Sequence, residues 1–253
     1  MFGNAFFFSA SIPLPLDSIT ASAAYSLRKL RAAFSGSAIR VRRSSDNAEQ
    51  DIGFTGSELD TSALLAFCGA DSGFVTTWYD QTGNGLHQAQ PTATLQPIIV
   101  SAGALITRNG KVSMSTNGRY LQLYSFIPAM RSALFVGERS ATNGAFFEVS
   151  LSSLYRGFSL FSYGRDYEYF TSNFLNGNLT TSPTDVLNTL NVYTGVERFG
   201  TNSSAWILIG KGTPGFGPTT YMSEFIAFST ALSTTDRQTL ERNQGTYFGI
   251  TVA

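Results

Sequence analysis

The chain has 253 residues, 43% of them hydrophobic and only 13% charged, with 17 Lys+Arg set against 17 Asp+Glu. Zero formal charge argues against the broad cationic footprint that nucleic-acid binding needs. A single cysteine excludes an intrachain disulfide, and a single histidine beside it cannot supply a zinc site of several His and Cys ligands.

The first residues, Met1-Phe2-Gly3-Asn4-Ala5-Phe6-Phe7-Phe8, carry no basic n-region, and Ser9, Ser11 and Pro13 break the apolar run. The run is a poor signal peptide and too short for a membrane span. Residues 1–16 are expected to form an extended arm, either a short edge strand or a segment docked on a neighbouring subunit. Pro13 and Pro15 keep it out of helix. The spacing of Ala23, Ala24, Leu27 and Leu30 predicts a helix capped by Asp17 or Ser18. Strand Ala38–Arg42 follows, with Arg40 and Arg42 on one face; these read as a solvated strand end or as a contact for phosphate or acidic glycan. A second helix is predicted over Thr61–Phe67, capped by Asp60 and stopped by Gly69.

From Phe74 onward the pattern is β. Candidate strands fall at Phe74–Tyr79, Ile98–Val100, Leu105–Arg108, Val112–Met114, Tyr120–Leu123, Ala133–Glu138, Ala145–Val149, Gly157–Ser162, Glu168–Ser172, Val192–Glu197, Ser204–Ile209 and Met222–Ser229. Asn109-Gly110, Asn117-Gly118, Asn143-Gly144 and Asn176-Gly177 suit the two positive-φ positions of type I′ hairpin turns. Ser233-x-x-Asp236 has the form of a capping box, so a helix is predicted through Asn243, ending before Gly245, with a last strand at Tyr247–Ile250. No linker or repeat interrupts residues 17–253, which are expected to form one domain. Many short strands at this spacing mean an all-β, two-sheet antiparallel sandwich with a few short peripheral helices.

Three stretches resemble known families. The segment from Tyr25 to Asp46 resembles the start of the fungal-type α-L-arabinofuranosidase catalytic domain. Thr77-Trp78-Tyr79-Asp80-Gln81-Thr82-Gly83-Asn84-Gly85 is similar to that family's Tyr-Asp-Gln-Ser-Gly-Asn-Gly block. The ending, Ser223-Glu224 to Ser233 and on to Ile250, resembles the closing strand and helix of laminin-G-like jelly rolls. The resemblance implies a concanavalin A-like jelly roll. It also implies a vicinal cysteine pair in a substrate pocket, where this chain reads Ala145-Phe146-Phe147, and a bridging partner for Cys68, which this chain lacks. Modules of this combination also occur in bacteriophage tail and virion proteins.

Glycoside hydrolysis needs two carboxyl groups about 5–5.5 Å or about 6.5–9.5 Å apart. Asp166 and Glu168 are the local candidates, since a strand there would put both on one face and Arg165, Tyr167 and Tyr169 on the other, as ligand-binding residues. The alternative is an exposed strand or loop with solvated charges. In Asp80-Gln81-Thr82-Gly83-Asn84-Gly85 the residue types predict a rigid turn whose Asp80 satisfies loop amides, while Asp80 and Asn84 are also the candidate oxygen ligands for Ca²⁺. No other cofactor is expected. His87 reads as a turn or surface residue, Cys68 and Trp78 as core, and Trp206 likewise. The resulting expectation is a non-catalytic bacteriophage virion module. It would self-associate as a homo-oligomer, bind other virion proteins or host-surface carbohydrate, assemble in the host cytoplasm and insert in no membrane. The alternatives are an arabinofuranosidase-like glycoside hydrolase and a purely architectural capsid decoration or tail protein.

Overall fold

The computed structural model describes residues 14–116, 118–123, 130–139, 147–151, 154–156, 170–180, 189–198, 206–209 and 220–253. The N-terminal arm before residue 14 therefore lies outside the described residues, as do the Asn143-Gly144 turn and the strand expected at Gly157–Ser162. Among the described residues no helix is long and apolar enough to cross a membrane.

In chain order the elements begin with β1 (Ala23–Ser26), β2 (Ile39–Arg43), β3 (Glu49–Ile52), the hairpin β4 (Phe54–Thr55) and β5 (Glu58–Leu59), and α1 (Thr61–Cys68). Next come β6 (Gly73–Trp78), β7 (Gln88–Ala89), β8 (Ile98–Ser101), β9 (Ala104–Leu105), β10 (Thr107–Arg108), β11 (Lys111–Val112), β12 (Met114–Ser115) and β13 (Leu121–Leu123). The second half holds β14 (Ser132–Arg139), β15 (Phe147–Leu151), β16 (Leu154–Arg156), β17 (Phe170–Leu175), β18 (Asn178–Thr180), β19 (Asn191–Arg198), β20 (Trp206–Ile209), β21 (Thr220–Phe228) and α2 (Thr234–Phe248).

Apart from the separate hairpins β4–β5 and β10–β11, these strands form the two layers of a jelly-roll sandwich. One layer runs β1/β12–β21–β14–β19–β17–β18; the other runs β3–β2–β6, then β7–β13–β20–β15–β16, with β8 on the far side of β6. All the pairs are antiparallel, and β12 joins the layers by pairing with both β21 and β8. The core follows from strand alternation. Tyr25, Phe225, Phe135 and Tyr193 stand opposite one another on four neighbouring strands of the first layer. They meet Trp78, Ile39 and Leu123 of the second layer in one buried cluster. Tyr25 reaches across it, its ring 5.8 Å from Trp78 and 6.2 Å from Phe225. The other face of the first layer is apolar too: Ala24, Ile226 and Leu134 meet Leu240 of α2, while Val136 and Val192 meet Phe248.

The helix predicted over residues 21–30 is instead strand β1. Its residues are buried on both faces, so the apolar spacing carried no helical stripe. Ala23 and Tyr25 face the inner core and Ala24 the layer beneath α2, a period-2 division that the Ala23/Ala24/Leu27/Leu30 spacing conceals. The predicted ending also changes. α2 runs through Gly245 to Phe248, replacing the strand expected at Tyr247–Ile250. Gly245 tolerates the helix because the chain doubles back upon it: a Cβ there would lie 2.6 Å from Val252 and 2.7 Å from the Ile250 carbonyl. Gly249, with φ 66°, supplies the left-handed cap. The Ser233 cap is as read, its hydroxyl accepting from the Asp236 amide at 3.1 Å, and α1 starts at its Asp60 cap as predicted. Asn109-Gly110 and Asn176-Gly177 both carry two positive φ values and close the β10–β11 and β17–β18 hairpins. The predicted strand at Leu105–Arg108 divides into β9 and β10, and that at Val112–Met114 into β11 and β12.

Candidate functional site

The Tyr79–Gly85 block turns out to be a clamp. Asp80 is buried, and its Oδ1 accepts from the Ala24 amide at 3.0 Å and the Thr82 amide at 3.0 Å. Oδ2 accepts from the Leu86 amide at 3.3 Å and the Thr82 hydroxyl at 2.7 Å. Gln81, fully buried, receives the Leu30 amide at 2.8 Å and donates to the carbonyls of Ser26 and Arg28 at 3.1 and 2.9 Å. Two consecutive polar residues thus fasten the turn to residues 24–30, supplying partners for backbone groups that strand pairing leaves over. The Asn84 side-chain amide donates to the Ser22 carbonyl at 2.9 Å. His87 is exposed and accepts at Nδ1 from the Asp80 amide at 3.1 Å. Cys68 is buried, and burial pushes its thiol up. Trp78 is fully buried, as read.

On the outer face of the second layer, cross-strand register aligns polar residues. Asp51, Arg40, Thr77, Ala89 and Gln122 stand opposite one another across β3, β2, β6, β7 and β13. The same row continues at Cα level to Leu208 and Glu148. Arg40 lies 3.0 Å from Glu49 and 3.8 Å from Asp51. The Tyr79 hydroxyl donates to Asp51 at 2.8 Å. Partial burial pushes the Tyr79 phenol up, and the hydrogen bond to Asp51 adds to the shift. Arg42 donates to Gln96 at 2.7 Å and Asn47 at 2.8 Å, and its guanidinium sits 4.7 Å from the centre of the Phe74 ring. Arg43 ion-pairs with Asp46 at 2.6 Å. Arg40 and Arg43 are therefore neutralised by local carboxylates, while Arg42 keeps its charge and is held by neutral amides. What remains is a half-exposed sheet face of planar hydrogen-bonding groups beside aromatic rings, the chemistry by which proteins hold sugar hydroxyls. The sequence signal for it was the alternation of Arg40 and Arg42; strand β3 was missed because Glu49-Gln50-Asp51 is polar on both faces.

Asp166, Glu168, Arg165, Tyr167 and Tyr169 lie outside the described residues. Every carboxylate whose side chain is described is already engaged. Asp17, Asp60 and Asp80 hold backbone amides. Asp46, Glu49, Asp51, Glu138 and Glu241 pair with arginines. Glu58 pairs with Lys111, and Asp71 and Asp236 accept from serines. Glu224 pairs with Arg28. A hydrolytic pair that needs two uncommitted carboxyl groups would have to draw on Glu148, Asp166, Glu168, Asp185 and Glu197.

The sequence profile of the family described as "Alpha-L-arabinofuranosidase B, catalytic" matches residues 17–119. That stretch contains β1, the Asp80–Gln81 clamp and the Arg40–Asp51 part of the sheet face. Among solved structures, the chain is similar to an α-L-arabinofuranosidase soaked with a cyclic sulfate inhibitor, with TM-score 0.56 and 18% identity over 88% of this chain. It is similar to the same degree to an arabinofuranosidase complexed with arabinofuranosyl-α-1,2-xylobiose. In both cases the match takes in 62% of the other chain. At this identity the likeness shows the sandwich fold. No curated protein matches the sequence.

Proposed function

We propose that this chain is an arabinofuranosidase-like carbohydrate-active domain that engages arabinofuranose-bearing polysaccharide along the outer face of its second sheet. The observation that carries the reading is the family profile over residues 17–119, which falls on the part of the fold that builds the clamp and half of the polar face. The fold agrees with it. In this reading the reaction is hydrolysis of a furanosidic bond by two carboxyl groups. Asp166 and Glu168, spaced two apart, are the first pair to test, and Glu148, at the end of the Asp51–Arg40–Gln122 row, is the third. Release of arabinose from an aryl arabinofuranoside and from arabinan tests the proposal. Activity that Asp166→Asn or Glu168→Gln abolishes supports it, and no turnover on either substrate removes the catalytic step.

A second reading is favoured by the engaged state of each described carboxylate and by Ala145-Phe146-Phe147 where the family carries its cysteine pair. In it the domain binds glycan without cleaving it, as a virion structural or receptor-binding module with copies of itself, other virion proteins or host-surface carbohydrate as partners. Retention on a glycan array without turnover, together with an oligomer by light scattering, is the outcome that selects it. Self-assembly with no retained glycan would leave an architectural virion component instead.

A further inference from the structure

A cleft of about 800 Å³ lies between the segment after β1, the β4–β5 turn and α2, away from the residues of the sheet face described above. Its volume falls in the range of small-molecule sites. Its charges are unequal in status. Arg28 is consumed by Glu224, and Glu58 by Lys111 and the Tyr247 hydroxyl. Asp17 spends both oxygens on the amides of Leu14 and Ala32. Lys29 and Arg242 line the same cleft, and no side-chain partner holds either among the described residues. Asn243 lines it as well, with a buried Oδ1 that nothing satisfies. The Tyr247 ring is no stacking platform: the Arg28 guanidinium sits 4.4 Å from its centre and the Lys111 ammonium 3.9 Å. The cleft must therefore recognise by charge and hydrogen bond rather than by an open aromatic face.

We propose that this cleft binds a carboxylate-bearing sugar, its carboxylate held by Lys29 and Arg242. The carboxylate follows from the two uncommitted cations that line one cleft. The sugar rests on the carbohydrate reading given above. Such a site would let the domain hold an acidic polysaccharide by a uronate residue at a place separate from the sheet face.

Isothermal titration of the full chain with trigalacturonate, with its methyl ester and with a neutral arabino-oligosaccharide tests the assignment. The expected result is binding of trigalacturonate that weakens at least tenfold with Lys29→Ala or Arg242→Ala and weakens as salt is raised, while the methyl ester binds at least tenfold more weakly. Arg242 is exposed and Lys29 half-buried, and an unchanged thermal transition keeps the comparison clean. Equal affinity for acid and ester, or trigalacturonate binding indifferent to both substitutions, overturns the cleft. Binding or cleavage of the neutral arabino-oligosaccharide without any uronate binding also overturns the cleft while leaving the sheet-face reading standing. Binding of uronate with no response to the neutral sugar supports the cleft and counts against the sheet face.

Discussion

Arg28 grips Glu224 with two prongs, Nε to Oε2 at 2.7 Å and Nη2 to Oε1 at 3.1 Å, and both side chains are buried. Ser26 adds a hydroxyl at 2.8 Å and Gln244 of α2 an amide at 3.0 Å, so one carboxylate ties β1, β21 and the closing helix together. Desolvating two charges is costly, and the geometry here offsets that cost only while both partners remain. Arg28→Ala should lose roughly 3–5 kcal/mol, because Glu224 is left charged and buried. Arg28→Met with Glu224→Leu should recover most of the loss. Urea denaturation of the two single variants and the double variant checks the cycle; a double variant as unstable as Arg28→Ala alone would contradict it.

The β8–β9 hairpin turns through Ala102 at φ 46° and Gly103 at φ 78°. An alanine in left-handed geometry carries a Cβ clash worth about 1 kcal/mol, which asparagine relieves in part by local hydrogen bonding. Ala102→Asn should therefore stabilise the domain by roughly 0.5–1 kcal/mol. Ala102→Gly should gain less, since glycine also frees the unfolded chain. A thermal transition lowered by both substitutions would contradict this.

That same hairpin shows where the sequence was silent. Asn109-Gly110 and Asn176-Gly177 announced their turns because the residues match the backbone they adopt. Ala102 does not match its backbone and gave no signal. The sandwich itself was legible from β-branched and aromatic alternation, and the capping chemistry of Asp60 and Ser233 placed both helix starts. β1 was misread because residues buried on both faces lose the contrast that separates period 2 from period 3.6. The end of α2 was misread because Gly245, ordinarily a stop, is needed there for the close approach of Ile250 and Val252. Of the candidate site, the Asp80 turn was readable from its residue types. The sheet face was not, since it depends on β3, β7 and β13 meeting across long stretches of chain.

Asp46 sets one limb of the acid response. The Arg43 guanidinium, and after it the Ala48 amide, hold its carboxyl at about 2, below its ordinary 3.8. A carboxyl whose folded pKa is depressed adds stability that is complete above its unfolded value and lost as pH falls through the folded one. The contribution should thus be whole above about pH 4 and drain away toward about pH 2. Asp46→Asn should flatten that part of the stability curve and leave the curve above pH 5 parallel to the parent. Denaturant midpoints measured at half-unit pH intervals give the comparison, and an unchanged acid slope in the variant would remove Arg43–Asp46 from the account.

Asp80 separates a structural carboxylate from a metal ligand. Both of its oxygens already accept from amides and the Thr82 hydroxyl, and Asn84 is turned to the Ser22 carbonyl. A cation would have to displace those donors, so chelator should leave the melting temperature where it was and added Ca²⁺ should not raise it. Asp80→Ala, in contrast, strands the amides of Ala24, Thr82 and Leu86 beside a cavity, and should cost roughly 2–4 kcal/mol. Asp80→Asn keeps one acceptor oxygen and should cost less. The order parent, Asn, Ala in stability, with all three indifferent to Ca²⁺, is what the clamp requires. A parent that melts lower in chelator and is restored by Ca²⁺ would mean that the turn is held by an ion rather than by its own backbone.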